Sequence, residues 1–273
     1  MRLLALVTDL RGLKVDAIEW LKARWLSAGI ESGDVVLLHS NIVRTLGLLK
    51  RNGFKPSVDV ILESFIQAVD ENGTLLFPLF NFDFTSGVTF DVRTTKSHMG
   101  VLTEAARNHP KAVRTGHPIY SFCAIGALAN KFEALDNVSG YGVDSPFGML
   151  RELDGKVVVL DILENNSMTF HHHVEEMMLV SYRHMKNFKA DYVDQSGYKK
   201  ERSYSIYVRD LDKHVETDLE PIGEKLWEAS IYKGDRPNNE TGLRVARANA
   251  IFDYVSKVIA QGNALGNLYK IGC

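Results

Sequence analysis

The sequence contains little cysteine and no long apolar run. Only two of its 273 residues are cysteines, Cys123 and Cys273, too few for a disulfide framework and too scattered for a zinc knuckle. The opening apolar run, residues 3 to 7, is shorter than the hydrophobic region of a signal peptide. No stretch approaches the roughly 20 apolar residues that a membrane span needs. We therefore expect a cytoplasmic protein in a reducing compartment, without a membrane partner.

An excess of charge of either sign is also missing. The chain has 32 basic and 34 acidic residues and a formal net charge of -2, so its overall balance favours neither nucleic acid nor an anionic surface as a partner. A phosphate-bearing ligand would need a local basic patch. With 45% hydrophobic residues, the composition is that of an ordinary globular protein.

Several common catalytic and nucleotide-binding motifs are absent. The sequence has no GxGxxG and no GxxxxGK[ST], which excludes dinucleotide and nucleoside triphosphate sites of those forms. It also lacks the G-x-S-x-G elbow of a nucleophilic serine, and no base adjoins Cys123. A covalent acyl-enzyme is therefore not favoured.

Short apolar runs alternate with amphipathic segments and predict an α/β fold with a mixed sheet. The predicted strands are 34–40, 74–80 and 156–162, with hairpin strands at 189–194 and 203–209 and an apolar stretch at 119–127. The predicted helices are 15–29, 56–71, 101–107, 167–183, 218–230 and 240–261, with a long loop at 81–100. We expect residues 1–273 to form a single mixed α/β unit, in which about 185–273 make a smaller appended region.

The densest group of functional side chains follows the predicted strand 156–162. On a helix, His172 lies beside Glu175 and Glu176, whereas His171 and His173 point to either side. A carboxylate bonded to one ring nitrogen raises the basicity of the other, so His172 could remove a proton from an amine. The alternatives are ordinary core or solvated histidines, or a metal site, although the zinc motif HExxH and a third ligand are missing.

A second polar segment follows the predicted strand 34–40. It comprises His39, Ser40, Asn41, Ile42, Val43, Arg44 and Thr45. Small polar side chains, free backbone amides and an arginine suit a pantetheine arm and its phosphates. An ordinary loop after a strand would look similar.

Six segments in fixed order resemble the antibiotic N-acetyltransferase family, whose founding members acetylate the 3-amino group of aminoglycosides. They are 33–40 (GDVVLLHS), 73–78 (GTLLFP), 90–100 (FDVRTTKSHMG), His117-Pro118 with Ser121-Phe122, 144–148 (DSPFG) and 169–172 (TFHH). The resemblance implies the α/β fold of that family, with a central mixed sheet flanked by helices. It also implies acetyl-CoA or another acyl-CoA as donor, no metal, and allows a homodimer.

The resemblance also assigns site residues. In the family motif the histidine stands three residues after a Ser/Thr and precedes a carboxylate, which gives the catalytic roles to Thr169, His172 and Glu175. The pantetheine arm is then expected along residues 39 to 45, and its phosphates near Ser97 and Val101, where a helix begins. The expected acceptor contacts are Asp83, Asp91, Tyr120 and Asp144.

Two departures from the drug-modifying members change the expected acceptor. The net charge of -2 attracts polycations poorly, and segments after residue 190 (YVRD, EPIGE and KGDRP) resemble members from polysaccharide pathways. We therefore expect an AntD-like N-acyltransferase that acts on a nucleotide-linked amino sugar, such as dTDP-4-amino-4,6-dideoxyglucose. The alternatives are an aminoglycoside 3-N-acetyltransferase, a metal-dependent hydrolase and a non-catalytic module that binds coenzyme A or a sugar nucleotide.

Overall fold

The computed structural model describes residues 16–272, which form twelve strands and nine helices. The strands are β1 (Val35–Ser40), β2 (Thr74–Pro78), β3 (Phe90–Asp91), β4 (Val113–Arg114), β5 (Phe122–Gly126), β6 (Lys156–Leu160), β7 (Arg183–Val193), β8 (Lys199–Arg209), β9 (Val215–Thr217), β10 (Lys233–Gly234), β11 (Leu243–Arg247) and β12 (Tyr269–Ile271). The helices are α1 (Ala17–Ala28), α2 (Val43–Arg51), α3 (Val58–Val69), α4 (Val101–Arg107), α5 (Ala129–Glu133), α6 (Pro146–Glu152), α7 (Phe170–Met177), α8 (Glu220–Glu228) and α9 (Ala248–Ala260). The apolar run at 3 to 7 and Cys273 lie outside the described residues.

A seven-stranded mixed sheet occupies the centre of the fold. Its strand order is β10-β11-β6-β1-β2-β5-β4. The central strand β1 runs parallel to β2 and β6, and the outer pairs are antiparallel. The three parallel strands are buried nearly along their whole length, which is why each reads as a continuous apolar run. The predicted α/β class with a central mixed sheet is confirmed.

Helices α1 and α3 pack on one face of this sheet and have clear start and stop signals. The Asp16 side chain accepts a hydrogen bond from the Ile18 amide at 3.3 Å, and Gly29 ends α1 in the left-handed region at φ 116°. Trp25 stacks on Phe65 with ring centroids 4.5 Å apart. This layer covers one apolar core, and α6, α7 and α9 contribute to a second core.

Two predicted helices are wrong in part. The helix predicted at 167–183 is α7 alone; Leu179 has a positive φ of 49°, and the chain turns there to begin β7. The helix predicted at 240–261 is preceded by strand β11, which pairs with β6 through residues 243 to 247. The sequence did not indicate this strand because its second residue, Arg244, is charged yet buried.

The second half of the chain contributes to more than one sheet. β7 and β8 form a hairpin that pairs with β3 in a three-stranded sheet, and β9 pairs with β12. β10 and β11 instead extend the central sheet. A smaller region at about 185–273 therefore stays a prediction. Within residues 16–272, none of the helices is long and apolar enough to cross a membrane.

Two fully buried histidines should make the stability of the fold depend on pH. Burial lowers the pKa of His117 to about 4 and that of His173 to about 4, whereas an unfolded histidine titrates near 6.5. His117 Nδ1 accepts the Tyr120 amide at 3.0 Å, so a proton there would break that bond. Between the two pKa values only the unfolded chain binds the proton, so stability falls as pH falls.

We expect each of these histidines to remove about 1 kcal/mol of unfolding free energy between pH 6.5 and 5.5. Urea unfolding at both pH values measures the change, and the interval from pH 8.5 to 7.5 is the control because neither state gains a proton on these rings. Equal midpoints at pH 6.5 and 5.5 would contradict the burial of the two neutral rings.

Candidate active site

Helix α7 carries His172 at the end of the central sheet. The chain leaves β6, passes through a short 3-10 turn at Glu164–Asn166 and enters α7 at Phe170. Residues 178–182 then connect α7 to β7. The i, i+3 spacing places His172 Nδ1 2.7 Å from Glu175 Oε2. The His172 side chain is 17% exposed, and that of Glu175 is fully buried. His172 is thus held on one side by a carboxylate and faces a cavity on the other.

Arg183, the first residue of β7, completes the group. Its Nε atom lies 2.7 Å from Glu175 Oε2, and its Nη1 donates to the Tyr207 carbonyl at 3.2 Å. Burial raises the pKa of the Glu175 carboxyl, but Arg183 and the hydrogen bond with His172 outweigh burial and lower it to about 2. Burial, followed by the Arg183 charge, lowers the pKa of His172 to about 4. The group therefore combines a neutral imidazole with an ionised carboxylate at neutral pH.

The free side of His172 opens into a cavity of about 610 Å³. Aromatic side chains, among them Tyr120 and Tyr141, form one wall, and the β7–β8 hairpin forms the other. The His172 and Tyr141 rings lie 5.3 Å apart between centroids. This volume suits a small organic ligand.

The other two histidines of the triplet are structural. His171 is fully buried, and its Nε2 lies 3.1 Å from Glu164 Oε1. His173 is also fully buried and donates from Nδ1 to the Tyr141 carbonyl at 2.7 Å. The interpretation of the triplet as core histidines therefore applies to these two residues and not to His172.

Residues 39 to 45 do not form the loop that the sequence suggested. His39 and Ser40 end β1, and α2 begins at Val43, so the segment is a strand end joined directly to a helix start. His39 and Thr45 are buried, whereas Val43 is 72% exposed. Arg44 is not free, because its Nη1 forms a 2.8 Å ion pair with Asp161.

Val101 is the first residue of α4, and Ser97 lies four residues before it. The Ser97 hydroxyl accepts the Met99 amide at 3.0 Å, and the Ser97 amide donates to Glu104 Oε1 at 2.8 Å. Val101 is 62% exposed. The Ser97 amide thus already donates its hydrogen bond to a carboxylate of α4 itself. A phosphate site there stays a prediction.

Of the four expected acceptor contacts, the structure brings one to the His172 cavity. Tyr120 lines it. Asp91 is taken up by Arg93, with Nη2 to Oδ2 at 2.7 Å, and Asp83 lies 3.6 Å from His98. Asp144 is exposed on the segment before α6. Arg183 is the residue that sequence reasoning missed.

The chain matches a family model over residues 49–260, described as aminoglycoside 3-N-acetyltransferase. The chain belongs to this family. The match covers more than three quarters of the sequence and includes α7 with His172, Glu175 and the hairpin that follows. The resemblance drawn from the sequence motifs is confirmed.

Curated relatives of this acetyltransferase-family chain are similar over a little more than half of its length. The chain is 26% identical to aminoglycoside N(3)-acetyltransferase III of Pseudomonas aeruginosa, over 59% of this chain and 64% of the relative. It is 29% identical to aminoglycoside N(3)-acetyltransferase VII of Streptomyces paromomycinus, over 57% of this chain and 59% of the relative. It is 25% identical to the prophage-derived aminoglycoside N(3')-acetyltransferase-like protein YokD of Bacillus subtilis, over 52% of this chain and 59% of the relative. The chain thus spans about three fifths of the length of the curated relatives it matches.

Solved structures of the same family share the fold of the chain. AAC-VIa bound to sisomicin has a TM-score of 0.75 at 19% identity, covering 91% of this chain and 98% of that one. AAC-IIIb in a binary complex with CoASH has a TM-score of 0.74 at 22% identity, covering 90% of this chain and 96% of that one. At these identities the likeness establishes the fold alone.

The expected nucleotide-linked amino sugar acceptor is wrong. The named relatives are aminoglycoside acetyltransferases. The family model extends to residue 260, so it includes the three segments after residue 190 on which that expectation depended. Short segments such as YVRD did not separate a polysaccharide type from the drug-modifying type, and the AntD-like subtype is unconfirmed. For the metal-dependent alternative, residues 16–272 contain no group of three or more His, Cys, Asp or Glu side chains that could hold an ion.

Proposed function

We propose that the protein transfers the acetyl group of acetyl-CoA to an amino group of an aminoglycoside. Its family membership favours the 3-amino group as the one acetylated. The observation that carries the proposal is the His172–Glu175–Arg183 group at the wall of a 610 Å³ cavity. Family membership supports both the reaction and the donor. A cytoplasmic location is part of the same proposal.

In this proposal His172 is the general base. Its Nδ1–H donates to Glu175, which leaves the Nε2 lone pair for the acceptor. The acceptor nitrogen attacks the thioester carbonyl, the N–C bond forms, and Nε2 takes the proton that the nitrogen loses. When the C–S bond breaks, the imidazolium returns that proton to the thiolate of coenzyme A. Arg183 keeps Glu175 ionised, so the carboxylate stabilises the transient imidazolium.

We assign the remaining roles to residues around this base. Thr169 precedes α7, and its side chain does not cap the helix, so its hydroxyl can donate to the oxyanion that forms on the carbonyl. The pantetheine arm lies along residues 39 to 45 in this proposal, with exposed Val43 as a contact. Ser97 and Val101 remain the assigned phosphate contacts, and Tyr120 the acceptor contact.

The test is acetyl transfer by the purified full chain. Thiol release from acetyl-CoA is measured with a panel of aminoglycosides, and mass spectrometry and NMR of the product identify the acetylated nitrogen. We expect thiol release to depend on the acceptor and the product to carry one acetyl group. A matched acceptor already acetylated at the 3-amino group is the control. Thiol release no faster with any aminoglycoside than without acceptor would overturn the proposal.

A further inference from the structure

The hairpin wall of the His172 cavity carries more positive than negative charge. Lys186, Arg209 and His184 line it, and we call these three residues the basic strip. Asp212 is the acidic residue that lines the same cavity in the described part of the chain, since Glu175 is buried behind His172. The Arg183 charge is already balanced by Glu175. An ammonium group that enters this cavity therefore meets an excess of positive charge.

The two permanent cations of the basic strip are left without carboxylate partners. Across residues 16–272, no carboxylate forms a salt bridge with Lys186 or Arg209, whereas three of the four permanent cations farther along the same hairpin are paired. The pairs are Lys189 with Glu201, Lys199 with Asp191, and Arg202 with Asp136. The fourth, Lys200, is also unpaired among the described residues but does not line the cavity, so Lys186 and Arg209 are the unpaired permanent cations of the cavity wall.

The strand register and an aromatic contact locate Arg209 and Lys186 on the hairpin. Arg209 is the register partner of Arg183, so two cations face each other across the hairpin, an arrangement that is unfavourable unless each has a counter-charge. Lys186 Nζ lies 5.4 Å from the centroid of the Phe188 ring, which also lines the cavity. This cation–π contact keeps the ammonium group beside the cavity wall.

From this charge distribution we infer that the basic strip selects acceptors of low positive charge. The preferred acceptor is an aminoglycoside with few amino groups besides the one that reacts. This inference rests on the proposed function and narrows its substrate class. Each additional ammonium group near the strip is repelled, and at the effective dielectric of a partly exposed site each such contact weakens productive binding by about three- to tenfold.

The experiment compares two acceptors with the wild-type chain. One is an aminoglycoside with many amino groups, and the other is its derivative in which amino groups remote from the 3-position are replaced by hydroxyls. We expect a higher kcat/KM for the derivative. For the polyamine, kcat/KM should rise with NaCl, because salt screens repulsion. A fall in kcat/KM with NaCl for the polyamine would overturn the inference.

Charge reversal tests the residues themselves. Lys186→Glu and Arg209→Glu should each raise kcat/KM for the polyamine about three- to tenfold relative to the derivative. Lys200→Glu is the matched control, since Lys200 is exposed on β8 and does not line the cavity. Unchanged discrimination, or an effect confined to the KM for acetyl-CoA, would overturn the inference. If neither wild type nor variants acetylate any aminoglycoside, the proposed function fails instead.

Discussion

Replacing His172 by asparagine should lower kcat for acetyl transfer by about 10²- to 10⁴-fold, the usual contribution of a positioned general base. Asparagine can still reach Glu175 with its amide but offers no nitrogen lone pair to the acceptor. His172 acts in the chemical step and is assigned no contact that holds bound acetyl-CoA, so the KM for acetyl-CoA should stay within about twofold of wild type. Steady-state kinetics with both substrates varied gives the two parameters.

His184→Asn is the matched control for this substitution. His184 lines the same cavity on the hairpin wall but is not bonded to Glu175. We expect kcat of His184→Asn to remain within a few-fold of wild type. If His172→Asn keeps more than about a tenth of wild-type kcat, or if both substitutions reduce kcat equally, His172 is not the base.

The His172–Glu175 contact could be predicted from the sequence because it is local. Residues three apart on one helix are neighbours whatever the rest of the fold does. Arg183 is only eight residues beyond Glu175, yet it was missed because the helix was predicted to continue through it. The turn at Leu179, with its positive φ, reverses the chain and brings Arg183 back to Glu175. No periodicity in the sequence records that reversal.

The acceptor side of the site could not be predicted from the sequence either, because its wall is formed by residues distant in the chain. Asp83, Asp91 and Asp144 were assigned to the acceptor as acidic residues in loops, but Asp91 bonds to Arg93 two residues away and leaves no free carboxylate. The cavity wall is instead formed by the β7–β8 hairpin, whose strands were predicted too short. Residues 183 to 188 lay outside the predicted strand, so their charges could not be placed.

The fold was predicted best where burial is uniform. β1, β2 and β6 are covered on both faces, so the residues in the middle of each strand are apolar without a break. β11 is equally buried but contains Arg244, whose counter-charge, Glu164, is 80 residues earlier in the chain. A buried ion pair of such separation is invisible to a local pattern, and the strand was read as part of a helix.

Replacing Arg244 by alanine should destabilise the fold by about 3–5 kcal/mol, the usual effect of removing one partner from a buried ion pair. The Arg244 side chain is 2% exposed and donates to Glu164 Oε2 at 2.9 Å and to the Ile162 carbonyl at 2.6 Å. Alanine leaves the Glu164 carboxylate buried with His171 and Tyr232 as neighbours and without its cation. The change in unfolding free energy is measured by urea denaturation.

A double-mutant cycle separates the loss of the ion pair from a simple loss of volume. Glu164→Leu combined with Arg244→Ala removes both charges, so the double variant should be less destabilised than the sum of the two single variants. Arg236→Ala serves as the surface control, because Arg236 and Glu224 are about half exposed and such pairs contribute about 1 kcal/mol or less. Two outcomes would contradict this prediction: additive effects of the single substitutions, or a loss of stability for Arg244→Ala no larger than that for Arg236→Ala. Either would mean that Arg244 does not stabilise the buried Glu164 carboxylate. In the expected case, the Arg244–Glu164 ion pair, which joins β11 to the turn before α7, also fixes the position of the helix that carries His172.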